Sequence, residues 1–224
     1  MKTSAQKLLS ILLLPLSVFA APTGSIEARA CSDVTVIFAR GTTEIGTLGT
    51  VVGPPFLFAL ESALGSSSVT MNGVDYPADI PGFLEGGDAA GSKAMASMVT
   101  STLSSCPDTK IVISGYSQGG QLVHNAAKLL PADTTAKISS AVIFGDPGSS
   151  QSLCIFRNVA WDLKLTQKLD NGDAVQGVSA DRTDIICHAG DNICQGGSLI
   201  LMAHLTYGMD TTAAAAFVKK AAGL

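Results

Sequence analysis

The fold is decided between residues 110 and 130, which read KIVISGYSQGGQLVHNAAKLL. Within residues 110–114, Ile111, Val112 and Ile113 are apolar on consecutive positions, which is typical of a strand buried on both faces. Residues 118–130 have the apolar spacing of a helix. Between them, Gly115-Tyr116-Ser117-Gln118-Gly119 fits G-x-S-x-G, whose glycines let a strand turn sharply into a helix with the serine at the tip. The stretch predicts a strand–turn–helix unit that presents Ser117.

Strands and helices alternate on both sides of this unit. The predicted strands cover residues 34–39, 68–74, 110–114, 141–144 and 183–186, of which 68–74 is the weakest. The predicted helices cover residues 51–64, 89–103, 118–130 and 211–222. Asp88 is placed to cap the second helix. The alternation predicts an α/β fold, with a central parallel sheet of about five strands flanked by helices.

The first residues resemble an export signal rather than part of the fold. Lys2 and Lys7 precede an apolar run over residues 8–20, which is too short to span a bilayer. Val18 and Ala20 supply the small residues that a signal peptidase accepts. We therefore expect a signal peptide at 1–20, a tail or pro-segment at 21–30 and a single domain at 31–224, in a secreted, extracellular protein.

Charge, apolar runs and cysteine content indicate which partners and which cellular environment to expect. The formal net charge is −4 and the Lys and Arg residues are scattered, so nucleic acid is not an expected partner. Residues 21–224 contain no apolar run that approaches a membrane span. Five cysteines in an exported chain predict two disulfides and one cysteine left over.

A serine hydroxyl becomes a nucleophile only when a base removes its proton, and the chain has three histidines. His124 lies two turns beyond Ser117 on the same predicted helix, so its side chain does not easily reach back. In α/β-hydrolases the chain order is nucleophile, acid, histidine. Ser117, Asp191 and His204 satisfy that order, and His188 remains the alternative base if another acid serves it.

Asp191 competes with Asp173, Asp181 and Asp184 for the role of acid. It lies between Cys187 and Cys194, and a disulfide across so short a loop would fix the backbone that carries its carboxylate. An acid that orients a histidine needs such a fixed position. We therefore expect Asp191 to hold the base.

The charge that develops on the substrate oxygen requires donors that are already in place. The Gln118 N–H follows the nucleophile directly and is the first expected donor. The second is expected in the loop after the first strand, where Thr42 offers an N–H and a hydroxyl. Capping of a helix by Thr42 is the alternative.

Several segments together resemble the fungal cutinases. They are Ala39-Arg40-Gly41-Thr42-Thr43-Glu44, the G-x-S-x-G motif, the loop Cys187-x-x-x-Asp191-x-x-Cys194, and His204-Leu205-Thr206-Tyr207-Gly208. The resemblance covers nearly everything from Cys31 to the C-terminus. It implies a small α/β-hydrolase without a lid that cleaves cutin polyester and short-chain esters through an acyl-enzyme. Cutinases often carry Ser where this chain has Thr42, which can make the same hydrogen bond.

The resemblance also implies further site residues. Cys31 would pair with Cys106, and Cys187 with Cys194. Apolar side chains would rim an open acyl groove, namely Ile80, Phe83, Leu84, Leu199, Ile200 and Leu201. No metal or cofactor is expected, and the chain is expected to act as a monomer on a polyester or small ester substrate.

Residues 148–166 do not fit the cutinase pattern. They look like surplus sequence in a connection that is short in cutinases, and they contain Cys154 and Trp161. Our hypothesis is a translated intron, because the codons of Gly148 and of residues 164–167 allow splice signals. The alternative is a real insertion, such as an amphipathic flap.

Three other functions stay open from the sequence. An acetylxylan esterase has the same fold but tends to carry more cysteines. A secreted binding or elicitor protein on an inactive hydrolase scaffold would have no reason to keep the complete set of Ser117, Asp191, His204 and the donors. A true lipase would need a lid, and no segment resembles one.

Overall fold

The computed structural model describes residues 31–148 and 175–224 and contains one five-stranded parallel sheet. The strands, in chain order, are β1 (Val34–Ala39), β2 (Val69–Gly73), β3 (Lys110–Tyr116), β4 (Ile138–Phe144) and β5 (Thr183–Ile186). Their order in the sheet is β2-β1-β3-β4-β5, and every neighbouring pair is parallel. The predicted fold class is thereby confirmed, and the weakest predicted strand is real.

Helices cover both faces of the sheet. They are α1 (Gly53–Leu64), α2 (Ile80–Leu84), α3 (Ala89–Ser105), α4 (Gln118–Leu129), α5 (Ala132–Thr135) and α6 (Thr211–Ala222), and short 3-10 helices cover Ala180–Arg182, Met202–Leu205 and Tyr207–Asp210. Helices α3 and α4 pack on one face and helices α1 and α6 on the other.

Burial on both faces explains the unbroken apolar runs of the strands. In β1, Ile37 contributes to the core under α3 and α4, whereas Val36 and Phe38 contribute to the core under α1 and α6. Successive side chains of a strand point to opposite faces, so a sheet covered on both sides needs apolar residues at every position.

Local signals set several element ends. Asp88 accepts a hydrogen bond from Gly91 N–H at 2.5 Å, so the predicted cap of α3 is confirmed. Asp79 caps α2 in the same way, through Gly82 N–H at 2.9 Å. Cys31 and Cys106 form a disulfide that ties the start of β1 to the end of α3.

The element bounds differ slightly from the prediction. Strand β3 continues beyond residue 114 to Tyr116, because its pairing with β4 continues to Phe144. Helix α1 begins at Gly53 rather than at residue 51. Helices α2 and α5 were not predicted, because helices of four or five residues are too short to show a periodic apolar pattern.

The order of strands creates the place for a site. In the sheet, β2 lies on one side of β1, and β3, β4 and β5 follow on the other side, so the strand order reverses at β1. Ligands of such sheets bind at the carboxyl ends of the strands where the order reverses. Ala39 is in register with Gly115, and Phe144 with both Tyr116 and Ile186. The segments after β1, β3, β4 and β5 therefore emerge side by side.

Several predictions fall on residues 1–30 and 149–174, outside the described part of the chain. They are the signal peptide, the tail, the competing acid Asp173 and nearly all of the segment 148–166. Among residues 31–148 and 175–224, no helix is both long and apolar enough to cross a membrane.

Candidate active site

Ser117 lies at the turn between β3 and α4, at the carboxyl edge of the sheet. Its backbone has φ 54° and ψ −121°, and a positive φ is uncommon for a residue other than glycine. The Ser117 N–H donates to Phe144 O at 2.9 Å, and Ser117 O accepts from the Gly120 N–H at 2.8 Å. These bonds hold the strained turn that presents a serine at a strand–helix junction.

The glycines of the G-x-S-x-G motif are required by close backbone contacts. A Cβ on Gly115 would overlap the carbonyl group of Gly119, and a Cβ on Gly119 would overlap the carbonyl oxygen of Ala39. The first turn of α4 therefore packs directly against the ends of β3 and β1. This packing brings Ser117 next to the loop that follows β1.

Asp191 and His204 form a buried hydrogen-bonded pair. His204 Nδ1 lies 2.8 Å from Asp191 Oδ2, and the side chains are 2% and 0% exposed, respectively. A carboxylate oxygen only accepts, so a neutral His204 ring with this bond carries its hydrogen on Nδ1 and leaves Nε2 as an acceptor. This is the tautomer that a general base requires.

The His204 ring lies against two neighbours of Ser117, namely Tyr116, which precedes it in the chain, and Gly145, which follows its hydrogen-bond partner Phe144. Tyr116 OH donates to His204 O at 2.8 Å, and the two rings stack with centroids 5.1 Å apart. A Cβ on Gly145 would lie 2.9 Å from His204 Cε1. His204 Nε2 is buried without a hydrogen-bond partner among the described residues. A bond between nucleophile and base often tightens only when substrate is bound.

Asp191 has two further donors, which the sequence analysis did not identify. Tyr207 OH donates to Asp191 Oδ2 at 2.7 Å, and Ile193 N–H donates to Oδ1 at 3.0 Å. Burial raises the pKa of Asp191, but the hydrogen bonds from His204, Tyr207 and Ile193 outweigh burial and hold this pKa below its ordinary value. Asp191 is therefore ionised at neutral pH.

The loop that carries Asp191 is closed by a disulfide. Cys187 and Cys194 are bonded, with a sequence separation of 7 residues. Asp191 N–H also donates to His188 O at 3.1 Å within this loop. Both constraints act on the backbone of the acid, as the sequence analysis expected of the bridge.

The two expected oxyanion donors lie on adjacent segments. Gln118 is the first residue of α4, where backbone N–H groups have no acceptor within the helix. Its Nε2 donates to Asp79 O at 2.7 Å, which ties the site to the start of α2. Thr42 Oγ1 is buried without a partner among the described residues. Thr42 does not cap a helix, because α1 begins only at Gly53.

The loop after β1 is braced by a charged pair of residues that the sequence analysis did not single out. Glu44 Oε2 accepts from Gly41 N–H at 2.7 Å, and Glu44 Oε1 accepts from Val51 N–H at 2.9 Å. Arg40 Nε donates to Glu44 O at 2.7 Å, and Arg40 Nη2 donates to Tyr76 O at 2.7 Å. These bonds fix the backbone on either side of Thr42.

Most of the apolar side chains predicted to rim a groove are exposed. Those in α2 and in the segment before the 3-10 helix of His204 are Ile80, Leu84, Leu199, Ile200 and Leu201, with exposures between 46% and 71%. Phe83 is half-buried. Phe83, Leu84 and Gly196–Ser198 border one shallow cavity, so the two segments face each other.

The other candidate residues have different partners. His188 Nε2 lies 2.6 Å from Asp210 Oδ2, and His124 Nε2 lies 2.8 Å from Asp146 Oδ2. Asp181 lies in the 3-10 helix that precedes β5, at the opposite edge of the sheet from Ser117. The structure therefore pairs His204 with Asp191 and not with Asp181. His188 pairs with Asp210 instead.

The groups around Ser117 can transfer an acyl group on their own. They comprise a serine hydroxyl, a histidine nitrogen that is free to accept a proton, and backbone N–H groups near the expected oxyanion. Within residues 31–148 and 175–224, no group of three or more His, Cys, Asp or Glu residues is placed to hold a metal ion.

Comparison with known proteins gives relatives that match this chain over their full length. The chain is 83% identical over 224 residues to a cutinase of Botryotinia fuckeliana, and 70% identical over 223 residues to a cutinase of Monilinia fructicola. In both cases the match covers 100% of this chain and 100% of the relative.

Solved structures with the same fold include a cutinase and an acetylxylan esterase. Trichoderma reesei cutinase in complex with a C11Y4 phosphonate inhibitor matches with a TM-score of 0.74 and 45% identity, over 86% of this chain and 77% of that chain. An acetylxylan esterase matches with a TM-score of 0.63 and 26% identity, over 87% of this chain and 100% of that chain. The sequence profile of the cutinase family matches residues 30–222. The chain therefore belongs to the cutinase family of serine ester hydrolases.

Proposed function

We propose that this chain is a secreted carboxylic ester hydrolase that uses Ser117 as nucleophile, His204 as general base and Asp191 as the acid that orients the base. The observation that carries the proposal is the buried Asp191–His204 pair, whose free Nε2 belongs to a ring in contact with Tyr116 and Gly145. A buried nitrogen acceptor without a partner, beside a strained serine, is suited to remove the serine proton.

The first half-reaction forms an acyl-enzyme. His204 Nε2 takes the Ser117 Oγ proton as Oγ attacks the ester carbonyl carbon. The carbonyl oxygen of the ester becomes an anion, which accepts hydrogen bonds from the Gln118 and Thr42 N–H groups and from the Thr42 hydroxyl. When the carbonyl reforms, the alcohol leaves and takes the proton from His204 Nε2. Asp191 stabilises the imidazolium while it exists.

The second half-reaction reverses these roles with water. His204 Nε2 removes a proton from water, and the resulting nucleophile attacks the acyl carbon of the Ser117 ester. The same donors stabilise the second oxyanion. Collapse releases the carboxylic acid and returns the proton to Ser117 Oγ. One ester bond and one water are consumed, and the enzyme is unchanged.

We propose cutin polyester and soluble short-chain esters as the substrates. The relatives at 83% and 70% identity are named cutinases. Leu84 and Leu199 are 71% and 64% exposed. Covering such large apolar side chains is favourable, because it removes apolar surface from water. The acyl chain of a polyester would cover them. We further propose that the enzyme is extracellular, which its two disulfides favour, and monomeric.

Deacetylation of xylan is the second candidate, because a solved acetylxylan esterase shares the fold. An acetyl group covers less apolar surface than a longer acyl chain, so the exposed apolar side chains favour the longer chain. We therefore expect hydrolysis of p-nitrophenyl butyrate and of cutin to exceed release of acetate from acetylated xylan. The opposite ranking would transfer the proposal to xylan.

The nucleophile is tested with Ser117→Ala and with an alkyl phosphonate that forms a covalent adduct on active serines. Ser97→Ala, at an exposed serine of α3, is the matched control. We expect wild type and Ser97→Ala to hydrolyse p-nitrophenyl butyrate and to gain one phosphonyl group by mass spectrometry. Ser117→Ala should lose about a millionfold in kcat and gain none. Turnover by Ser117→Ala close to that of wild type would overturn the proposal.

A further inference from the structure

His188 connects the loop of the acid to the segment of the base. It lies in the disulfide-closed loop that also carries Asp191. Its ring contacts the other segment on both sides of His204, because Nδ1 lies 2.8 Å from Ala203 O and Nε2 lies 2.6 Å from Asp210 Oδ2. The His188 ring therefore contacts residues before and after His204 in the chain.

Both of these partners can only accept. A carbonyl oxygen and a carboxylate oxygen have no hydrogen to donate, so both contacts are hydrogen bonds only when His188 carries hydrogen on both nitrogens. A neutral ring would turn a lone pair toward Ala203 O or toward Asp210. Thr206 Oγ1 lies 3.2 Å from Nδ1 and itself donates to Ala203 O at 3.2 Å, so its hydroxyl hydrogen is directed at that carbonyl. The ring is therefore held between two acceptors that flank His204 in the chain.

A second connection runs through Tyr207. The His188 and Tyr207 rings stack with centroids 4.1 Å apart and an angle of 16° between their planes. The His188 backbone N–H donates to Tyr207 OH at 2.8 Å, and this hydroxyl donates to Asp191 Oδ2 at 2.7 Å. Tyr207 is fully buried. His188 thus fixes the orientation of the phenol that supports Asp191.

We propose that His188 is a positioning residue for the acid–base pair, which rests on the proposed function of Asp191 and His204. The ring holds the segment 203–210 against the loop 187–194 through Ala203 and Asp210, and it aims Tyr207 OH at the acid. Asp191 then keeps His204 in the tautomer with hydrogen on Nδ1. His188 itself touches neither the substrate nor Ser117.

Variants at both ends of the connection separate positioning from general stability. His188→Ala and Asp210→Ala each remove the contact between His188 and Asp210, whereas Asp210→Asn keeps an oxygen acceptor for the His188 Nε2–H. His124→Ala is the matched control, because His124 also pairs with an aspartate at 2.8 Å but lies on α4. For each variant we would measure kcat and KM on p-nitrophenyl butyrate, Tm, and the ring nitrogen shifts of ¹⁵N-labelled histidines.

We expect His188→Ala and Asp210→Ala to lose on the order of tenfold to a hundredfold in kcat, with KM changed less than about twofold. Their double variant should lose no more than either single variant, since both remove one connection. Asp210→Asn should retain most of the activity, and His124→Ala should match wild type. The His204 nitrogen shifts should report one tautomer in wild type and a mixture of two in His188→Ala.

Two results would overturn the proposal. One is a His188→Ala enzyme with wild-type kcat and an unchanged His204 tautomer. The other is a loss of Tm in His188→Ala without any change of kcat well below that Tm, because His188 would then be merely structural. Failure of the proposed function is distinguishable, since wild type would then not hydrolyse the ester at all, whereas the nitrogen shifts are read without substrate.

Discussion

At the scale of single residues, the backbone of Ser117 is held in a conformation that its surroundings must impose. A left-handed non-glycine residue costs on the order of 1–3 kcal/mol. The hydrogen bonds to Phe144 O and from Gly120 N–H, together with the contact of Gly119 against Ala39, leave no room for relaxation. The strain is thus a property of the turn, and it places the hydroxyl at the edge of the sheet.

Two tyrosines beside the site should resist ionisation. Burial raises the pKa of Tyr76 far above its ordinary value, although Arg40 lowers it; burial likewise raises that of Tyr116, assisted by the charges of Glu44 and Asp191. Tyr116 therefore keeps its hydrogen bond to His204 O in alkaline solution. We expect tyrosinate absorbance to stay low near pH 10 in the folded protein.

The sign of the stability change follows from the same shifts. In the unfolded chain these phenols ionise near pH 10, about their usual pKa, whereas in the folded chain they stay protonated. The unfolded state binds fewer protons above that pH, so the free energy of unfolding falls as pH rises past about 10. Denaturant titrations at several pH values check this. Full ionisation of all tyrosines near pH 10 before unfolding would contradict it.

At the scale of elements, α4 lies against the end of β1 with no space for a side chain between them. Gly119→Ala would force α4 away from Ala39, and we expect a loss of about 3 kcal/mol in the free energy of unfolding. Gly148→Ala is the control, because its Cβ would meet only ordinary contacts, the nearest at 3.4 Å. It should change stability by less than about 0.5 kcal/mol. Urea unfolding of both variants measures the difference.

The two disulfides constrain different elements and should separate stability from activity. Cys31–Cys106 spans 75 residues and Cys187–Cys194 spans 7. In the loop-entropy description their removal costs about 4.5 and about 2.4 kcal/mol, respectively. We expect Cys31→Ala/Cys106→Ala to lose more stability but keep kcat, and Cys187→Ala/Cys194→Ala to lose about tenfold in kcat because Asp191 is no longer held.

Urea unfolding and kcat measured on both double variants provide this comparison. Unchanged kcat in Cys187→Ala/Cys194→Ala would mean that Tyr207 and Ile193 hold Asp191 without the bridge. A larger loss of stability in that variant than in Cys31→Ala/Cys106→Ala would contradict the loop-entropy argument.

At the scale of the whole molecule, the described residues on either side of segment 149–174 lie near each other. Gly148 and Gln176 border one cavity beside α4. A much shorter connection can therefore join them. Our hypothesis remains that residues 148–166 are a translated intron, and we expect a deletion of 148–166 to fold, with a kcat equal to or above that of the full chain.

Secretion yield, Tm and kcat of the deletion variant test this expectation, together with sequencing of the mature transcript. The deletion leaves residues 167–174 between Pro147 and Val175, which is an ordinary length for a connection. A transcript that retains these codons would rule out the intron. A deletion variant that fails to fold would show that the segment is part of the domain.

Local patterns were enough to predict the parallel sheet, most element bounds and the Asp88 cap. Strands buried on both faces, helical periodicity and capping side chains all act over a few residues, so the sequence displays them directly. The family was also accessible, because its motifs are short and contiguous. The pairing of Cys31 with Cys106 and of Cys187 with Cys194 came from the resemblance, and the structure contains both bonds.

Contacts between distant segments could not be predicted in this way. The donation from Tyr207 to Asp191, the bracing of the Thr42 loop by Arg40 and Glu44, and the pairing of His188 with Asp210 have no local signature. The sequence by itself determined the fold and the kinds of side chain at the candidate site, namely a serine, a histidine and an aspartate. Only the tertiary structure decided which carboxylate meets which histidine, because side-chain hydrogen bonds form between segments that come together when the sheet assembles.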